Sequence, residues 1–157
     1  MIDPNHLRKH VIRPALECLS PQIQYSPVAE NLLMGTASQE SNLIYLKQLG
    51  GGPAVGLFQM EPATYEDIWE HYLNRKANLA AKLLSMCPDQ KVPDASYMAG
   101  NLFFAAAMCR VHYYRKPDPL PKNDPFSLGQ YWKKFYNTVH GAGTVDEFIE
   151  NYKVVEA

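Results

Sequence analysis

The sequence predicts a mainly α-helical protein with a short irregular or β segment around residues 42–60, and three observations support this. Apolar residues recur at helical spacing in most of the chain. Proline or a short polar residue stands at the start of several of these segments, as is typical of helix starts. Four of the nine glycines are concentrated between residues 50 and 56, which indicates a loop or short strands there.

Length and composition are those of a globular domain. The chain has 157 residues, 46% of them hydrophobic and 20% charged, and we expect residues 1–157 to form a single domain with one core. The net charge of −1 argues against a nucleic-acid-binding protein, which usually carries a basic excess. The longest apolar run, residues 97–114, contains Gly100, Asn101 and Arg110, which favours a core helix over a membrane span.

Two helix starts are predicted in the first quarter of the chain. Asp3 followed by Pro4 is an N-cap with proline at the first helical position, and Pro14 is expected to break or restart that helix. Ser26 followed by Pro27 repeats the signal and predicts a second helix over residues 27–41. The glycine-rich segment then separates these helices from the rest of the chain.

Later helices follow from the same signals. They are predicted from Thr64 onward, over residues 77–86, over residues 94–114, over residues 128–136 and from Thr144 to the end. Asp94 is expected to cap the long apolar helix. Four prolines make residues 117–125 a loop, and the run from Thr144 to Glu147 is a capping box.

The second helix carries a glutamate near its apolar face. That face is defined by Val28, Ala29, Leu32 and Leu33. At ~100° per residue, Thr36 falls in the middle of the face and Glu40 about 50° from its centre. The opposite side is expected to hold Glu30, Asn31, Ser38 and Ser41. A buried Glu40 near a helix C-terminus would have a raised pKa, as a glycosidase general acid requires. The alternative is a solvated glutamate, or one paired with Lys47.

A second pattern follows this glutamate. After Glu-Ser at the end of the helix come the glycine-rich segment, then Gly-Leu-Phe-Gln, then a helix start with proline and threonine. This combination resembles the lytic transglycosylases and goose-type lysozymes, in which Gly-Leu-Met-Gln is usual. The matching residues are Glu40, Ser41, Gly56, Leu57, Phe58, Gln59, Pro62 and Thr64. Phe58 replaces the usual methionine. The resemblance covers residues 28–75 well and the rest loosely, and it implies a lysozyme-like domain.

The resemblance also implies roles for individual residues. Glu40 would be the general acid and base, Ser41 would help to position the carboxylate or the substrate, and Gln59 would line the cleft and bind the sugar. Gln59 as a structural loop amide is the alternative. The family also has a Tyr-Asn-Ala-Gly element whose tyrosine approaches the glutamate. We assign it to Tyr136 and Asn137, which are followed by Thr138, Gly141 and Gly143.

Other positions compete for that tyrosine element. Phe104 to Ala107 keeps the alanines but lacks Tyr-Asn, Tyr113 and Tyr114 are possible substitutes, and Tyr136 could simply be a core aromatic.

The chemistry depends on whether a second carboxylate is present. A two-carboxylate glycosidase needs its second acid within about 10 Å of the first, and no Asp or Glu lies between Glu40 and Gln59. Glu61, Glu66 and Asp67 follow, but the last two occupy the first turn of a helix, where acids are common. The resemblance therefore implies a lytic transglycosylase that uses one glutamate and forms 1,6-anhydro products. A muramidase-type hydrolase, or a non-catalytic virion or tail protein that retains the fold, is the alternative.

The sequence also bears on cofactors and localisation. We expect no cofactor and no metal, because Cys18, Cys87 and Cys109 show no CxxC spacing, and no third ligand follows His6 and His10. The start of the chain lacks the apolar segment of a signal peptide. With the resemblance, this points to a phage enzyme located in the virion, or in the host cytoplasm before release to the periplasm. Its partners would be peptidoglycan glycan strands and phage tail or virion proteins.

Overall fold

The computed structural model describes residues 1–137 and 141–157, and it confirms the mainly helical class. Thr138, the third residue of the proposed tyrosine element, lies outside the described residues. The α-helices are α1 (Pro4–Leu7), α2 (Arg13–Cys18), α3 (Pro27–Ser41), α4 (Pro62–His71), α5 (Ala77–Leu84), α6 (Tyr97–Gly100), α7 (Leu102–Tyr114), α8 (Pro125–Trp132) and α9 (Val145–Tyr152). Two π-helical segments, Arg8–Ile12 and Lys133–Asn137, continue α1 into α2 and extend α8.

Residues 42–60 form the expected irregular segment. Asn42 adopts a left-handed backbone conformation (φ 52°) and ends α3. Two isolated antiparallel bridges follow, between Lys47 and Val55 and between Val55 and Met60. The second bridge exchanges two backbone hydrogen bonds of 2.9 and 3.1 Å. This segment folds back on itself, which places the Gly-Leu-Phe-Gln residues beside the C-terminal end of α3.

Helix α3 runs through the centre of the protein. Its predicted apolar face is buried, with Thr36 fully enclosed. The opposite side is not solvated, however, because Glu30, Ser38 and Ser41 are also buried. The Ser38 hydroxyl donates to the carbonyl oxygen of Asn151 in α9 (2.7 Å). Helix periodicity distinguishes apolar from polar positions, but it cannot show that a polar side chain will find a partner inside the core.

Several predicted helix boundaries differ from the structure by two residues or more, and two of the differences result from capping side chains. The long apolar helix is split at Asn101, whose backbone is extended and whose side chain accepts a hydrogen bond from the backbone N–H of Phe104 (2.9 Å), so Asn101 caps α7. Asp94 caps only the turn at Ser96. Helix α8 begins three residues earlier than predicted, at Pro125, because Asp124 accepts from the N–H of Ser127 (2.8 Å).

The first helix is restarted near Pro14, as one alternative anticipated. Proline has no N–H to donate to the preceding turn, and the turn before it, Arg8–Ile12, is a π-helix. The widened turn lets the helix continue into α2 without a break in direction. Arg8 in this segment donates to the carbonyl oxygen of Val155 (2.9 Å), so the two ends of the chain are joined. Among the helices of the described ranges, none combines the length and apolar character needed to cross a membrane.

Helices α3 and α9 approach closely at Gly35. A Cβ atom placed on Gly35 would overlap the ring of Phe148 and lie 3.0 Å from Tyr152. Both rings belong to the buried core. We therefore expect Gly35→Ala to lower the free energy of unfolding by about 1–3 kcal/mol through overpacking, measured by urea denaturation.

The matched control is Gly100→Ala. A Cβ at this position meets no atom within 4 Å, so the substitution should leave stability unchanged or raise it slightly. Equal stability of Gly35→Ala and the wild type would contradict the close approach of α3 and α9.

Candidate active site

A cleft of about 640 Å³ opens at the C-terminal end of α3. It is lined by Glu40, Asn42, Tyr45, Gln48, Leu49, Ala54, Gln59, Met60, Glu61, Thr64, His112, Tyr136, Asn137 and Gly141. Four of the five residues that the sequence proposed for a site therefore meet in one cleft: Glu40, Gln59, Tyr136 and Asn137. They come from α3, the irregular segment and the π-helical extension of α8, which are far apart in the sequence.

Glu40 is partly buried at the wall of this cleft. Burial raises the pKa of its carboxyl group to about 7, although a hydrogen bond from Trp132 opposes part of the rise. The Nε1 atom of Trp132 donates to Glu40 Oε1 at 3.1 Å. Lys47 does not pair with Glu40, because its ammonium group donates to the carbonyl oxygen of Pro53 (3.3 Å). Near neutral pH, Glu40 is thus distributed between its protonated and ionised forms.

Trp132 is a site residue that the sequence did not identify. Its ring is fully buried and stacked on Phe148 (5.4 Å between ring centroids), as in an ordinary core aromatic. Its N–H group points to a carboxylate 92 residues earlier in the chain. A buried indole N–H usually needs a hydrogen-bond acceptor, and this was the available signal, but the sequence offers no means to identify the acceptor.

Tyr136 joins the π-helical segment Lys133–Asn137 to the irregular segment, and both contribute to the cleft wall. Its hydroxyl donates to the carbonyl oxygen of Phe58 (2.5 Å), which lies in the Gly-Leu-Phe-Gln segment. Burial raises the pKa of Tyr136 well above its usual value, so the hydroxyl stays protonated. Asn137 follows it and accepts a hydrogen bond from the ammonium group of Lys133 (2.7 Å). Lys133 is therefore held by hydrogen bonds within the protein.

Gln59 and Ser41 occupy different surroundings. Gln59 lines the cleft in a left-handed conformation (φ 49°), and its Nε2 donates to the carbonyl oxygen of Gly56 (2.9 Å). This contact agrees with the alternative that Gln59 is a structural loop amide. Because Gln59 also lines the cleft, its side chain is in a position to contact a bound sugar. Ser41 is buried, is absent from the cleft wall, and donates to the carbonyl oxygen of Ala37 (3.0 Å). The structure does not bring Ser41 into contact with the carboxylate or the cleft.

His112 is a second cleft residue that the sequence left unassigned. Its ring meets the ring of Tyr136 edge-on, with centroids 5.2 Å apart. Burial, together with the positive charges of Arg115 and Lys116, lowers the pKa of His112 to about 3. The imidazole is therefore neutral at physiological pH. An isolated histidine in an apolar helix gave no sequence signal for this position.

The competing tyrosines lie elsewhere. The hydroxyl oxygen of Tyr113 is 2.8 Å from Thr36 Oγ1, and its ring is fully buried behind Tyr136. Tyr114 is exposed and lines a separate, smaller hollow. The run from Phe104 to Ala107 is buried in α7. Of Tyr113, Tyr114 and Tyr136, only Tyr136 lines the cleft together with Glu40.

The remaining acids differ in position. Glu61 is exposed and lines the cleft together with Glu40. Glu66 is absent from the cleft wall, and Asp67 is bound by Arg115 at 2.6 Å. Cys18, Cys87 and Cys109 are free thiols. In the part of the chain that the structure describes, no group of three or more His, Cys, Asp or Glu side chains is arranged to hold a metal ion.

The cleft can therefore supply and recover one proton. Glu40 is the group on its wall with a pKa near neutrality, and uncharged amide and hydroxyl groups, which suit sugar binding, surround it. Comparison of the chain with known proteins gave no match to a family model, to a curated protein or to a solved structure.

Proposed function

We propose that this protein is a peptidoglycan lytic transglycosylase with a lysozyme-like fold, and that Glu40 is its catalytic acid and base. The observation that carries the proposal is a carboxyl group with a pKa of about 7 on the wall of an open cleft that is lined mainly by uncharged side chains. A group with this pKa can give up a proton and take it back near neutral pH, which general acid–base catalysis requires.

The reaction is an internal displacement at the muramic acid residue. Glu40 donates its proton to the oxygen that joins C1 of N-acetylmuramic acid to C4 of N-acetylglucosamine, and the C1–O bond breaks. The substrate's N-acetyl group stabilises the positive charge that develops at C1. The C6 hydroxyl oxygen then bonds to C1 and passes its proton to Glu40. The products are a 1,6-anhydromuramic end and a free C4 hydroxyl group, and no water is consumed.

The spatial arrangement supports the proposal beyond the sequence motif. Glu40 lies beside Gln59 of the Gly-Leu-Phe-Gln segment, and Tyr136 donates a hydrogen bond to Phe58 of the same segment. The resemblance implies a tyrosine near the glutamate, and Tyr136 and Glu40 line the same cleft. In this proposal Gln59 and Asn137 bind the sugar, and Tyr136 holds the loop against the cleft wall.

Glu61 favours a second candidate, a muramidase-type hydrolase. It is an exposed carboxylate that lines the same cleft. In a hydrolase it would activate a water molecule or attack C1 directly. In a transglycosylase it would have no chemical role.

Product analysis separates the two reactions. We expect the purified protein to release 1,6-anhydro-muropeptides from peptidoglycan, detected by mass spectrometry, and Glu61→Gln to keep at least about half of the wild-type rate, since its carboxylate would then contribute no step. Reducing-end muropeptides, together with a loss of about 10²-fold or more in Glu61→Gln, would instead establish the hydrolase. Glu66→Gln, outside the cleft, is the matched control.

The biological setting is part of the same proposal. We infer that the enzyme is phage-encoded and is located in the virion, or in the host cytoplasm before its release to the periplasm, with phage tail or virion proteins as partners. The rival is a virion protein that keeps the fold and binds glycan without cleaving it. That rival predicts glycan binding with no released muropeptide at any pH.

A further inference from the structure

The two oxygens of the Glu40 carboxyl group are not equivalent. Oε1 accepts a hydrogen bond from Trp132 Nε1 at 3.1 Å. An indole N–H donates and cannot accept, so the oxygen that it contacts must offer a lone pair. In a protonated carboxyl group the carbonyl oxygen is a stronger acceptor than the hydroxyl oxygen. The contact therefore favours Oε1 as the carbonyl oxygen of protonated Glu40 and Oε2 as the oxygen that carries the acidic hydrogen.

We propose that Trp132 is a positioning residue that fixes the Glu40 carboxyl group and assigns its acidic proton to Oε2. The assignment of the proton rests on hydrogen-bond geometry alone, whereas its role in catalysis rests on the proposed function. In that reaction Oε2 both gives the proton to the glycosidic oxygen and receives the proton from the C6 hydroxyl. A single oxygen then performs both transfers without rotation of the carboxyl group.

The surroundings of Trp132 hold the indole rigidly. Its ring is fully buried and stacks on Phe148 from α9. On the other side, a Cβ atom on Gly143 would lie 2.6 Å from Trp132 Cη2, so only glycine allows the backbone to pack this closely. Lys133 holds that backbone in place, because its ammonium group donates to the carbonyl oxygens of Gly141 (2.9 Å) and Gly143 (2.6 Å). Because the indole is held rigidly, its N–H group can orient the Glu40 carboxyl group without reorganisation during the reaction.

Several ionisable groups face the pair, and their charge states near neutral pH leave Glu40 as the titrating one. From α7, burial raises the pKa of the Cys109 thiol and of the Tyr113 hydroxyl well above their usual values, and His112 is neutral with a pKa of about 3. From the π-helical segment, Tyr136 also stays protonated. The ammonium group of Lys133 donates to the backbone that packs against the indole, and Glu61 lines the same cleft as Glu40.

The direct test follows the two indole N–H resonances in a ¹⁵N–¹H spectrum between pH 4.5 and 9. The chain has two tryptophans, and Trp69→Phe assigns the signals. We expect the Trp132 indole proton to move downfield with a midpoint near pH 7, because a carboxylate is a stronger acceptor than a carboxylic acid. Trp69, whose indole N–H has no hydrogen-bond partner among residues 1–137 and 141–157, should show no such transition.

Glu40→Gln is the control for that titration. Its amide oxygen can still accept from the indole, but it does not ionise, so the Trp132 transition should disappear. A transition that persists in Glu40→Gln, or a Trp132 resonance that does not titrate in the wild type, would overturn the proposal. Titration in a protein that releases no muropeptides would leave the Trp132–Glu40 pairing intact and reject the proposed function instead.

The catalytic role is tested with Trp132→Phe, which keeps an aromatic ring against Phe148. Loss of the donor should lower kcat about 10- to 100-fold with little change in KM. It should also move the alkaline limb of the pH–rate profile to higher pH, since the hydrogen bond from Trp132 lowers the pKa of Glu40. If the alkaline limb of the pH–rate profile does not shift, and activity falls only in proportion to the loss of folded protein, Trp132 has only a structural role. Trp69→Phe should change neither quantity.

Discussion

Glu40→Gln is expected to reduce the release of anhydro-muropeptides by about 10³-fold or more, because in the proposed reaction the same carboxyl group performs both proton transfers and a single acid–base group typically contributes about 10²–10⁴-fold. The amide has nearly the same shape and can still accept from Trp132, so binding of glycan should persist. Quantitative mass spectrometry of digested peptidoglycan measures the rate. In the wild type the rate should fall as pH rises above 7, where Glu40 loses the proton that it must donate.

Folding stability supplies the control for Glu40→Gln. The folded-state pKa of Glu40 is about 7 against an ordinary 4.5. Because this pKa is raised, the contribution of Glu40 to stability is fully present below pH 4.5 and is progressively lost as pH rises through 7, by up to about 3 kcal/mol at 1.36 kcal/mol per pKa unit. Glu40→Gln removes this loss, so above pH 7 the variant should be at least as stable as the wild type in urea. An inactive but less stable variant would indicate misfolding rather than lost chemistry.

Helix α3 could be predicted from the sequence because the signals there are local. Ser26 and Pro27 start α3, and the periodicity of the apolar residues places Glu40 beside the face that the structure buries. The Gly-Leu-Phe-Gln segment follows soon after along the chain and forms the adjacent wall of the cleft. Helix caps and helix periodicity involve neighbours within a few residues, so they can be detected in one sequence.

Trp132 and His112 could not be predicted in the same way, because their roles depend on contacts between distant segments. The indole meets a carboxylate from α3 only after α8 packs against α3 and α9. The neutrality of His112 results from burial near Arg115 and Lys116, and burial depends on the complete fold. By contrast, the helix break at Asn101 was accessible from sequence, since asparagine is a strong N-cap residue, but the apolar residues on both sides favoured a continuous helix.

The other buried glutamate of α3 leads to a different expected result: Glu30→Gln should destabilise the protein by about 3–5 kcal/mol, the usual cost of leaving a buried charge without its partner. Glu30 Oε2 lies 2.8 Å from Arg8 Nη1, and Oε1 lies 2.6 Å from Arg13 Nε and 3.0 Å from the Tyr25 hydroxyl. The Arg8 side chain is only 9% exposed, so water cannot replace the lost carboxylate. Urea denaturation at pH 7 measures the change.

The difference in stability between the wild type and Glu30→Gln should become smaller at acid pH. Burial alone would raise the pKa of Glu30, but hydrogen bonds from Arg13, Arg8 and Tyr25 outweigh it and hold the pKa below its usual value. A lowered carboxyl pKa contributes stability above pH 4.5 that is lost as pH falls through the folded-state pKa. The wild type and Glu30→Gln should therefore become more alike in stability under acid conditions. Glu150→Gln, which removes an exposed pair with Lys153, should have little effect at any pH.

Activity distinguishes the two glutamates of this helix. Glu30 and Glu40 are ten residues apart, so at 1.5 Å per residue they lie about 15 Å apart along α3, with the ion pairs at one end and the cleft at the other. Corrected for the folded fraction, Glu30→Gln should thus retain the wild-type kcat, whereas Glu40→Gln should lose it without loss of stability. A drop in kcat for folded Glu30→Gln would mean that the ion-pair network sets the position of Glu40, and that α3 transmits strain along its length.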